Sequence, residues 1–163
     1  MAESLTLRAT IASDLPQIDA LLARSYPALL KGDYPPSVMV TAVPIISRAR
    51  PELVASGTYF VIEDPQGQAL AAGGWSRQSA RPAIAEIRHV VTDPGYVRRG
   101  LGTALFDRIF HTAEAVGVTG YNCLATRTAV PFYRALGFVE IGPVRIRLRE
   151  AIVFPAVRMV RPA

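Results

Sequence analysis

Cysteine and lysine are almost missing from this chain. It holds one of each, Cys123 and Lys31, in 163 residues. A lone cysteine cannot close an internal disulfide, which fits a reducing cytoplasm. With one lysine among 18 Lys and Arg residues, the net charge of +5 is carried by arginine. Those arginines are scattered, with no run of five or more, which weighs against a nucleic-acid partner, since that needs a basic patch or stripe. No apolar run approaches the length of a membrane span. The opening "MAESLTLRAT" has an acidic residue and no apolar h-region, so it does not read as a secretory signal. Two familiar phosphate motifs are absent too. There is no G-x-x-x-x-G-K-[ST] run, and Leu105 stands where a dinucleotide fingerprint needs its third glycine.

What is present suits one globular domain over residues 1–163. Half of the residues are hydrophobic and 19% are charged, enough to bury a sizeable core. "LTLRA" alternates as a short strand does. Ser13 or Asp14 can cap a helix that carries Ile18, Leu21 and Leu22. "SYPALLKGDYPPS" reads as a turn-rich connection. A second helical region follows over about residues 37–55, broken or bent by Pro44 and Pro51. "TYFVIED", "PQGQ" and "ALAAGGWSR" spell a β-hairpin, and "AIAEIRHVVT" is a strand stopped by Asp93, Pro94 and Gly95. Leu101, Leu105, Ile109 and Ala113 then recur at helical spacing up to Gly117. "GYNCLAT" is a strand, "TAVPFYRAL" a short helix with Gly137 at its C-terminal cap, and two final strands run through "FVEIG", "VRIRLR" and "AIVFPAVRMV". This order predicts a mixed α/β (α+β) domain on a largely antiparallel sheet, with a β–α–β unit near its middle.

"YVRRGLGTAL" sits inside that unit, between a strand and a helix. Glycine admits a ligand close to the backbone. The first turn of a helix presents unpaired N–H groups and the positive end of its dipole. The stretch is thus an anion site by its physics, with phosphate one of the anions it could take.

"HVVTDPGYVRRGLGTALFDRIF", followed by "AVPFYRALGFVEIG", resembles the GNAT superfamily of acyl-CoA-dependent N-acyltransferases. The first stretch is similar to that family's central cofactor motif, the second to its late motif with an F-Y pair before L-G-F. The resemblance is good over about residues 58–160 and looser before. Val97 departs from the usual Gln or Arg three residues before the first glycine, Thr92 from an apolar residue, and Thr126 from Asn or Ser. The resemblance implies acetyl-CoA as co-substrate and no metal. It implies that the amides of Arg98, Arg99, Gly100, Leu101, Gly102 and Thr103 cradle the CoA pyrophosphate. The main chain of Val90, Val91 and Thr92 pairs with the pantetheine arm, and Phe132 lies near the sulfur.

Attack of an amine on a thioester needs a proton acceptor for the amine and a donor for the leaving sulfur. The resemblance implies Tyr133 as donor and Glu86 as base through water; their plain alternatives are a core aromatic and a surface carboxylate paired with Arg88. His89 is an alternative proton acceptor, though strict alternation puts it on the face opposite Glu86, unless a bulge intervenes. His111 reads as a surface residue and Cys123 as a buried, inert thiol. Arg145, Arg147 and Arg149 share one strand face, which reads as solvated. Tyr26, Tyr34 and Trp75 are candidates for the pocket of the acceptor, a small molecule or a peptide amine. A homodimer through an exposed terminal strand fits the pattern. Two other readings compete: an inactive acyl-CoA-binding sensor or interaction domain, and a basic nucleic-acid-binding domain.

Overall fold

The computed structural model describes residues 4–163; the part of the leader expectation that concerns the first three residues lies outside it. Seven strands form one sheet in the order β1-β2-β3-β4-β5-β7-β6. The strands are β1 (Thr6–Ala9), β2 (Tyr59–Glu63), β3 (Ala69–Arg77), β4 (Ile84–Thr92), β5 (Gly120–Ala125), β6 (Val139–Arg149) and β7 (Ile152–Pro162). Every neighbouring pair is antiparallel except β4 and β5. These two are parallel because the helix α4 (Leu101–Ala115) crosses over between them. The largely antiparallel sheet and its central β–α–β unit are as the sequence predicts.

The helices cover both faces. Leu105, Phe106, Ile109 and Ala113 of α4 are fully buried against Ile87, Tyr121, Cys123 and Met159, together with Tyr133 of α5 (Val130–Ala135). On the other face α1 (Leu15–Leu30) and α2 (Pro36–Ile46) bury Ile18, Leu21, Leu22, Ala42 and Val43 against Tyr59, Val61, Val91 and Phe154. A short α3 (Pro51–Val54) closes that side.

Several details refine the sequence reading. The stretch from Ser25 to Leu30 is helical, although Pro27 lies inside it. Pro27 and Ala23, whose carbonyl loses its helical partner, both sit on the exposed side, where water can replace the missing bond. Pro44 likewise falls in the last turn of α2 without breaking it, whereas Pro51 starts α3. "FVEIG" and "VRIRLR" belong to one long strand, β6. Pro143 is tolerated there because β6 is an edge strand. The C-terminal strand β7 lies between β5 and β6, so the two free edges belong to β1 and β6.

Two irregularities position the site. β4 and β5 pair only at Ile84↔Gly120, Ala85↔Tyr121 and Glu86↔Asn122, then diverge. Opposite, the β3–β4 register slips between Ala72 and Gly74, and His89 takes φ 46. This bulge breaks the alternation: Ile87 packs toward α4, while Val91 packs toward α1.

Candidate active site

The gap between β4 and β5 opens into a cavity of about 570 Å³. Its walls are Val90, Val91 and Thr92 of β4, the loop through Arg98 with the first turn of α4, Tyr26 and Leu30 of α1, and the segment from Thr126 to Phe132. Gly100, Leu101, Gly102 and Thr103 all line it. So do all the other residues expected at the cofactor except Arg99, whose guanidinium lies 4.8 Å from the ring centre of Tyr96.

The two glycines act differently. Gly100 is the N-cap of α4 at φ 80, a conformation that L side chains avoid, yet a Cβ there would meet nothing within 4 Å. Gly102 is different: its Cβ would come within 2.9 Å of the Phe132 ring. No side chain caps α4, and Ala104 is the first residue to donate to a helix carbonyl, that of Gly100 at 3.1 Å. The N–H groups of Leu101, Gly102 and Thr103 therefore point out of the helix at its positive end. The side chains of Arg98 and Arg99 are exposed.

The loop before α4 is anchored from both sides. Asp93 accepts from the Gly95 amide at 2.8 Å and pairs with Arg24 of α1 at 2.7 Å. Burial pushes the Asp93 carboxyl up, but Arg24 and the Gly95 amide outweigh it and hold it below its ordinary value. Arg24 also donates to the Ala69 carbonyl at 2.6 Å.

Tyr133 packs with Cys123 in the core cluster that faces α4. Tyr133 is only 5% exposed and does not line the cavity, unlike its neighbour Phe132. Burial raises its phenol well above 10, and raises the Cys123 thiol to about 12. Cys123 is thus protonated and buried, as the sequence reading has it. Tyr26 donates to the Val90 carbonyl at 3.3 Å, and Tyr59 to the His89 carbonyl at 2.8 Å.

Glu86 lies on the far face of the gap. Asn122 Nδ2 donates to both of its oxygens, at 3.0 and 2.9 Å, and Gln78 Nε2 adds a bond at 2.5 Å. Arg158 Nε in turn donates to Asn122 Oδ1 at 2.8 Å. His89 is brought to the side of Arg88 and Arg50. Burial first, then those two charges, lower its pKa to about 4. Asn122, Gln78 and Arg158 escape a reading from sequence, because a parallel register across a crossover leaves no local signal.

Two expected acceptor residues lie elsewhere. Trp75 is 4% exposed, packs among the residues facing α4, and donates its indole N–H to Thr112 at 3.1 Å. Tyr34 is stacked on Phe154 at 4.9 Å, and its hydroxyl is used twice: it accepts from the Arg127 amide at 2.9 Å and donates to the Pro155 carbonyl at 2.8 Å. Both are corrections to the sequence expectation. Tyr26 does reach the cavity.

A helix-capped anion site beside a parted pair of parallel strands defines a class of fold before it defines a chain. The family model described as "Acetyltransferase (GNAT) domain" matches residues 55–140, and the chain belongs to that family. An uncharacterized N-acetyltransferase of Methanocaldococcus jannaschii is 31% identical over 97 residues, 56% of this chain. That match spans 43% of the relative's own length. Among solved structures, a GCN5-related N-acetyltransferase from Rhodopseudomonas palustris superposes with TM-score 0.80 at 20% identity, covering 100% of this chain and 99% of that one. The PaiA N-acetyltransferase of Thermoplasma acidophilum, solved in complex with coenzyme A, gives 0.69 at 12% identity over 98% and 99% of the two chains. The ribosomal-protein-S18-alanine N-acetyltransferase of Escherichia coli gives 0.67 at 20%, over 98% and 94%. These likenesses establish the fold. No helix among the described residues is long and apolar enough to cross a membrane.

Proposed function

We propose that the chain is a cytoplasmic N-acetyltransferase, acting as one domain, that moves the acetyl group of acetyl-CoA to an amine by direct attack in a ternary complex. The observation that carries this reading is the parting of β4 and β5 beyond Glu86 and Asn122, with a cavity running from the gap to the open amides of α4. Those residues fit a thioester on a phosphate-bearing arm. The amides at 101–103 suit a pyrophosphate, and the edge of β4 at Val90–Thr92, unpaired on the β5 side, suits an extended amide chain. Bound acetyl-CoA supplies an activated carbonyl.

The protein's own groups then handle protons. An alkylammonium titrates near about 10, so a base must take its proton before attack. Glu86 takes that part through water, on the face opposite the cofactor arm. The Tyr133 phenol stays protonated through neutral pH. With a receiving thiolate of pKa about 8.5, full transfer from it is uphill. Its contribution is a hydrogen bond to the departing sulfur as charge builds there. The nitrogen–carbon bond forms, the carbon–sulfur bond breaks, the nitrogen gives up its second proton to solvent, and the released thiolate takes a proton from solvent.

Calorimetry with coenzyme A, and thiol release from acetyl-CoA with a panel of amines, test this. Micromolar binding with amine-dependent release is expected. Binding without release for every amine would favour a non-catalytic module, and no binding would end the proposal.

A further inference from the structure

Arg88 is an arginine without a counter-ion. Four arginines are half-buried: Arg8, Arg24, Arg88 and Arg161. Arg8 pairs with Asp14 and Glu63 at 2.9 Å each, and Arg24 with Asp93 at 2.7 Å. Arg161 donates to the Leu136 carbonyl at 2.8 Å and lies 4.1 Å from the ring centre of Phe110. Arg88 makes one long contact, 3.3 Å to the Ser76 hydroxyl, and among the described residues no carboxylate lies within 4.0 Å of it. A partly desolvated charge left this way is costly unless something else completes it.

Its position says what that is. Ala85 and Ile87 face α4, so Glu86 and Arg88 share the opposite face of β4, about 6.6 Å apart along the strand. The nearest competitor is already engaged: Glu86 is bonded by Asn122 and Gln78. Arg88 is the last residue before the bulge at His89, where the strand turns toward the thioester gap. Arg50, before α3, adds a second positive charge; Glu86 and Glu52 oppose it, and their influence on Arg88 ranks below that of burial and of Arg50. His89 stays neutral above about pH 4, so the positive field there comes from guanidinium groups alone.

We infer that the acceptor is an amine bearing a carboxylate, with Arg88 binding the carboxylate while Glu86 faces the amine. This rests on the acetyl-transfer reading. A planar guanidinium suits a carboxylate because it can donate two parallel bonds. Arg88 is thereby a specificity-determining residue.

The test compares acceptors that differ only in that charge. Glycine, alanine, β-alanine, glutamate and diglycine are each assayed beside their carboxamides for thiol release from acetyl-CoA. The acids should exceed their amides in kcat/KM by roughly ten- to a hundredfold. Arg88→Gln should remove that preference, Arg88→Lys should restore part of it, and both should keep the wild-type affinity for coenzyme A. Amides that match the acids, or an Arg88→Gln protein that loses both alike, would overturn the inference while leaving the transferase reading intact. Should no amine be acetylated, calorimetry of the acids on coenzyme A-saturated protein decides: no binding also overturns it. Failure to bind coenzyme A would instead strike the acetyl-transfer reading itself.

Discussion

Glu86 and Asn122 face each other across the last rung at which β4 and β5 still pair, and one Asn122 nitrogen bonds both carboxylate oxygens. Asn122 is 6% exposed, so this amide is held from behind by the sheet and by Arg158. The rung fixes a carboxylate beside the point where the strands part.

Tyr133→Phe should lower kcat by about a hundredfold, within the range for a donor in the transition state, and should keep the coenzyme A dissociation constant. Steady-state kinetics and calorimetry measure these separately. Full activity in the variant would remove Tyr133 from the chemistry.

Gly100 and the two arginines before it should behave in opposite ways. Gly100→Val forces a branched side chain into φ 80, so coenzyme A binding should fall by well over tenfold, with about 1–2 kcal/mol of lost stability. Arg98→Ala with Arg99→Ala should weaken binding only a few-fold and reduce its salt dependence, because both side chains are exposed. Equal losses in the two proteins would show that charge, more than backbone shape, holds the phosphates.

His89 links stability to pH. Its folded pKa of about 4 lies below the ordinary 6.5, so the unfolded chain binds its proton first as pH falls. The stabilisation is fully present above about pH 6.5 and is lost progressively toward pH 4, by at most about 3 kcal/mol. His89→Asn, which tolerates φ 46, should flatten urea-melt stability across that window. An unchanged slope would place the imidazole in water.

Arg24→Ala removes the tie between α1 and the loop before α4. Hydrogen exchange at Gly95 and Tyr96 should quicken, and coenzyme A affinity should fall several-fold with little change in kcat at saturation. Unaltered exchange would mean the loop is held by Asp93 and Gly95 alone.

The parts legible from the sequence are those whose signal is local. The period of α4 and the punctuation at Asp93 and Gly117 give the β–α–β unit directly. The helix runs on through Ser25–Leu30, where the sequence reads as a turn-rich connection, because whether the carbonyl freed by Pro27 meets water or core depends on which face it occupies. The place of Trp75 is not legible because β3 is buried on both faces, so no alternation tells inside from outside. That of Tyr34 is not legible because its partners, Arg127 and Pro155, are far away in the chain. The bulge at His89 had no local mark, since it comes from a slip against β3 and not from a turn residue.

Tyr34 also has a mechanical consequence. Through one hydroxyl the connection after α1 grips the start of the α5 segment and the middle of β7, while Asp33 takes the Thr128 hydroxyl at 2.6 Å. Thr128 belongs to the wall of the cavity beside α4. The loop after α1 and that wall are thus one strut, and a change of sequence at 33–34 would be felt as a change in the shape of the cavity.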